Sequence, residues 1–99
     1  EKRIGKLKLV KYLVKLDIKP DKRILDLASE TGNLELVVYL ISLGTQPDRH
    51  TLDYAIASGN LELVKYLVSL GIRPDRDALR YTDNNPELIE YLKAIIKEN

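Results

Sequence analysis

A chain of 99 residues that is 44% hydrophobic has material for one domain, burying roughly 60 to 70% of the surface its unfolded form exposes. With no cysteine it can build neither a disulfide framework nor a thiolate zinc site, so its stability must come from packing. No run approaches the ~20 apolar residues of a membrane helix and no leader precedes the first apolar pattern, so a soluble, by default cytoplasmic, protein without membrane contact is expected.

The formal net charge of +1 is the balance of a basic head and an acidic body. Residues 1–23 hold nine Lys or Arg against three acids, Glu1, Asp17 and Asp21, a local +6 that leaves −5 on the remainder. The head reads as a helix carrying Leu9, Val10, Leu13 and Val14, with Lys8, Lys11 and Lys15 at spacings of three and four on one face. Such a face can attract nucleic acid, but no arginine is interleaved with the lysines to stack on bases. A solvated outer face is the reading adopted, with no nucleic-acid partner.

Later stretches restate the head at a fixed step. "IGKLKLVKYLVKLD" at 4–17 is followed by "TGNLELVVYLISLG" at 31–44 and "SGNLELVKYLVSLG" at 58–71. Gly5, Gly32 and Gly59 are 27 residues apart, as are Pro20, Pro47 and Pro74, and Asp21, Asp48 and Asp75. A period of this size marks stacked supersecondary units. The expected division of the single domain 1–99 is a half repeat over 1–20, full copies over 21–47 and 48–74, and a closing copy over 75–99. In that last copy the step from Tyr66 to Tyr91 shrinks to 25.

Each unit reads as two helices, A and B. Asp21, Asp48 and Asp75 follow a proline and precede a basic residue, which suits them to cap helix A, where a carboxylate accepts from orphan amides at the positive end of the dipole. Helix A covers "KRILDLASET" and "RHTLDYAIAS", with "RDALRYT" shorter, and stops at Gly32 or Gly59. Asn33, Asn60 and Asn85 then cap helix B, the last followed by Pro86 and Glu87 in the first turn. Gly44 and Gly71 close helix B, and the proline three residues later forbids its continuation.

Helix B carries more apolar residues than a surface helix needs. In "LELVKYLVSL", Val64, Leu67 and Val68 form one stripe and Leu63, Tyr66 and Leu70 another beside it, which implies neighbours on both flanks. Each unit therefore shelters the next, as in a solenoid. The expected fold is all-α, a helix-turn-helix repeat solenoid of about three and a half repeats and seven helices. Tyr12, Tyr39, Tyr66 and Tyr91 occupy one column and are read as packing residues between units, with hydroxyls at the wet rim.

The stretch "ASGNLELVKYLVSLG" resembles the second half of an ankyrin repeat, and the resemblance runs from Gly5 to about Ile96. It is weaker over helix A, where of the family's Thr-Pro-Leu-His opening only the leucine survives, as Leu25, Leu52 and Leu79. The family's unit is also about six residues longer. The β-hairpin finger between units is here reduced to Gly44–Asp48 and Gly71–Asp75. The resemblance implies a nearly finger-less array that docks a protein through the helix A face and the loops. The restricted alphabet and strict period also suit an engineered array.

Catalytic material is scarce. His50 has Asp53 three residues on, but no second His for a metal and no nucleophile nearby beyond Thr51. The glycines are singletons at helix ends rather than a phosphate loop. Glu35 and Glu62 sit in first turns, where the dipole accounts for them. Neither an enzyme nor a cofactor is expected. Positions that differ between matched copies escape the packing constraint and are where recognition can be written. These are Arg23, His50 and Asp77 in one column, Asp26, Asp53 and Arg80 in the next, Glu30 opposite Ala57, and Gln46 with Arg73 in the loops. All of these except Ala57 are the partner-binding candidates of a protein-interaction or scaffold module. The alternative is a self-associating array, through the apolar head and the acidic Glu87 and Glu90 end, or a designed repeat with no natural ligand.

Overall fold

The computed structural model describes residues 21–98. Over that range it is helical, with no strand: α1 (Lys22–Glu30), α2 (Leu34–Ser42), α3 (Arg49–Ser58), α4 (Leu61–Ser69), a 3-10 helix (Arg76–Tyr81) and α5 (Pro86–Glu98). Six of the seven expected helices are thus on the page. The seventh, in the basic head, lies outside the described residues, as do its lysines, Tyr12 and the apolar Leu9, Val10, Leu13 and Val14.

Local chemistry starts and stops these helices. Asp21 accepts from the amides of Arg23 and Ile24, and Asp48 from that of Thr51, whose hydroxyl in return accepts from the Asp48 amide to complete a capping box. Asn33 caps α2 through the Leu36 amide and Asn60 caps α4 through that of Leu63. Gly32 has φ +73°, a conformation that a Cβ would strain, and that Cβ would also sit 3.3 Å from the Ser58 hydroxyl of the next unit. The last unit has lost its glycine, and its turn uses left-handed Asp83 and Asn84 instead, residue types that tolerate this region because their short polar side chains bond locally.

The final unit departs from expectation in two ways. Its first helix is 3-10 rather than a short α-helix, and Asp75 makes no capping bond there. The Asp75 carboxylate pairs instead with Arg49 of the preceding unit. One unit earlier, Lys22 reaches Asp48 at 3.1 Å in the same register. A cation from the first turn of each helix A thus holds the leading aspartate of the next unit.

The units share one core. Leu25, Val37, Leu40, Leu52, Ile56, Leu63, Val64, Leu67, Leu88 and Leu92 are all fully buried in a single cluster that crosses every unit boundary. Tyr39, Tyr66 and Tyr91 lie half-buried against it, and the Lys65 ammonium sits 5.7 Å from the Tyr91 ring. Leu70, assigned above to a packing stripe, is exposed because α4 has ended by then and Leu70 occupies its C-cap. Among the described helices the backbones of α1 and α3 come together most extensively, whereas those of α2 and α4 scarcely meet. The small Ala28, Ser29 and Ala55 are buried on the former pair, and small side chains let backbones approach. The stack is elongated, 45 × 26 × 17 Å, as side-by-side units require.

Polar groups inside are satisfied. Ser29 donates to the Leu25 carbonyl, the buried Thr51 hydroxyl donates 2.7 Å to Asp26 across the unit boundary, and Asn60 Nδ2 donates 2.8 Å to the Gly32 carbonyl. Among the described residues no buried side-chain nitrogen or oxygen lacks a partner.

Two stability measurements follow. Leu67→Ala is expected to cost about 2–5 kcal/mol, the range for emptying a closed leucine site, in urea unfolding followed by circular dichroism. Asn85 caps α5 through the amides of Glu87 and Leu88, so Asn85→Ala should cost the usual ~1 kcal/mol of a lost cap. Asn60→Ala should cost measurably more in the same assay, because it also breaks the bond to Gly32.

Candidate functional site

The described first helices align at the 27-residue period, so equivalent positions form columns across three units. Between them runs an open groove of about 520 Å³. Asp26 and Glu30 of α1 form one side of it, and His50, Asp53, Tyr54 and Ala57 of α3 another. Tyr81, on the 3-10 helix, closes the far end. Every lining residue thus comes from a helix A.

Four of the nine candidate residues meet in this groove: Asp26, Glu30, His50 and Asp53. The other five lie elsewhere on the surface. Arg23 is exposed and folds back on Asp21 with bonds of 2.8 and 3.1 Å. Gln46 and Arg73 are exposed in the connections between units, and Asp77 and Arg80 are exposed on the 3-10 helix. Tyr54 and Tyr81 are groove residues that the comparison of variable positions missed. Their signal was present, since Leu27, Tyr54 and Tyr81 recur at a step of 27 and all three are exposed.

The groove carboxylates differ in state. Asp26 is mostly covered, and its two oxygens accept from Thr51 and, at 2.7 Å, from Lys22. It therefore serves the joint between units as well as the groove wall. The bond to Asp26 is the main influence holding the Lys22 ammonium above its ordinary pKa, with Asp48 adding to it. Burial pushes the Asp48 carboxyl up, but the Thr51 amide and Lys22 outweigh it and leave the group lowered. Asp53 has no such support. Burial raises its pKa, and the charges of Asp75 and Asp77 raise it further against the opposing pull of His50 and Arg49.

Among the described residues no group of His, Cys, Asp and Glu is arranged to hold a metal ion, and no described helix is long and apolar enough to cross a membrane. The apolar head proposed for self-association lies outside the described residues, while Glu87 and Glu90 are exposed on α5.

The raised pKa of Asp53 fixes the sign of a pH effect. A carboxyl whose folded pKa exceeds its unfolded value destabilises the fold when ionised, and the penalty fades as pH falls through the raised value toward the ordinary aspartate one. Asp53→Asn should therefore stabilise the protein at neutral pH, with a gain that vanishes in acid. Thermal melts of both proteins across that range measure it.

Comparison with known proteins agrees with the stacked pairs of helices. A family model described as ankyrin repeats, in three copies, matches residues 2–78. No curated protein and no solved structure matches the chain. With more than three quarters of its length covered by that model, and with its described helices stacked in pairs around a shared core, the chain belongs to the ankyrin-repeat family.

Proposed function

We propose that the chain is a protein-interaction module that docks its partner through the helix A face and the connections between units, without catalysis. Ankyrin repeats generally mediate contacts between proteins. The observation that carries the reading for this chain is the groove, which is lined wholly by first helices and holds four of the nine candidate residues. The geometry of the stack supports it too. The first helices approach closely through small residues while the second helices stand apart, an asymmetry that favours bending of the array toward helix A. A concave surface contacts a ligand over more of its area than a flat one, and solenoids use such surfaces for recognition.

A pull-down that compares variants on the two faces tests this. His50→Ala combined with Arg73→Glu should strip bound protein from the array, whereas Glu62→Lys with Glu90→Lys, exposed on the second helices, should leave it. Circular dichroism verifies that both are folded. The opposite pattern would move the binding surface to the helix B side.

A further inference from the structure

The groove and the ridge beside it have a chemistry specific enough to name the kind of segment they take. Leu27, Tyr54 and Tyr81 are 60%, 41% and 39% exposed. One exposed apolar side chain is ordinary. Three at the same register in successive units make a continuous ridge along the stack. The core does not require it, since Leu25, Leu52, Ala55 and Ile56 of the same helices already fill the interior.

Beside the ridge the charge is one-sided. The groove holds the carboxylates of Asp26, Glu30 and Asp53. Of these, only Asp26 is paired within the fold; among the described residues Glu30 and Asp53 have no ion-pair partner. The lysine and arginines of α1 and α3 are already engaged: Lys22 with Asp26 and Asp48, Arg23 with Asp21, and Arg49 with Asp75. An exposed carboxylate, Glu30, and a half-covered one, Asp53, thus stand beside two exposed phenol rings without a cation from their own helices.

We propose that the groove receives a flexible cationic segment of a partner protein, with arginine side chains meeting Glu30 and Asp53 and lying against the rings of Tyr54 and Tyr81. Aliphatic neighbours of those arginines rest on Leu27. This rests on the helix A face being the docking surface. Arginine fits better than lysine because its planar fork pairs with a carboxylate through two parallel bonds while its face stacks on an aromatic ring. A phosphate-bearing ligand, nucleic acid included, meets repulsion from the same carboxylates. Neighbouring packed helices stand about 8–10 Å apart, and an extended chain rises ~3.3 Å per residue. Such a segment therefore offers about three residues to each unit it crosses.

Selection from a library of random linear peptides displayed on phage, with the intact array as bait, tests the proposal. Peptides rich in arginine with aliphatic neighbours should be enriched. Synthetic copies titrated by tyrosine fluorescence should bind roughly tenfold more weakly to Glu30→Gln with Asp53→Asn, as loss of charge-assisted bonds implies. Replacing arginine by lysine in the peptide, or adding salt, should weaken binding as well. Tyr54→Ser, at an exposed site that leaves the core intact, should remove the stacking contribution and confirms the ring's part if affinity falls. Selected peptides without excess positive charge, or ones indifferent to the Glu30 and Asp53 substitutions, overturn the proposal. If such peptides still compete at His50 and Arg73, the face assignment stands and only the cationic partner is wrong. If they are lost instead with Glu62→Lys and Glu90→Lys, the face assignment itself fails.

Discussion

The structure depends on one constraint: a unit of two short helices has apolar flanks on both sides and no interior of its own. Leu40 and Val37 in one unit, Leu63, Val64 and Leu67 in the next, and Leu88 and Leu92 in the last become fully buried only because the units adjoin. Burying a leucine or valine side chain is worth about 1.5–3 kcal/mol, and helices of nine or ten residues are too short to persist in water by propensity alone. The helices therefore exist because they are stacked. Among the described residues the direction of stacking puts the A helices on one side and the B helices on the other.

That arrangement separates packing from recognition. On each helix A the inward positions, Leu25 with Ala28 or Leu52 with Ala55 and Ile56, are bound by the core. The outward ones are free to differ. Asp26 shows that the separation is incomplete, since it varies in register with Asp53 and Arg80 yet ties two units together through Thr51. A residue can sit in the recognition column and still carry part of the joint.

Most of the fold was legible from the repeat. The aspartate and asparagine caps, the closing glycines and the half-buried tyrosine column all follow from residues that recur at one step, because repeated packing demands repeated chemistry. Legibility failed where the period does. The last helix A loses its capping bond and winds as a 3-10 helix, and no pattern in "RDALRY" announces that. Of the site, the charged positions were readable as differences between copies. Tyr54 and Tyr81 recur with Leu27 at the same step, but a residue class repeated across copies reads as core, and only their exposure reveals a surface role. The joining of Asp26 to Thr51 was equally hidden, being a contact between residues 25 apart in sequence that no local spacing encodes.

Lys22 with Asp48 and Arg49 with Asp75 form matching clasps between successive units, and their charged ends stand partly in solvent. Dissolved ions weaken such clasps over a screening distance of about 8 Å at physiological ionic strength, yet leave hydrocarbon contacts almost untouched. The charged and the hydrocarbon parts of the joint between neighbours thus answer to different solution variables. Added salt loosens the charged rim of each joint while the shared core, on which the helices depend, stays closed.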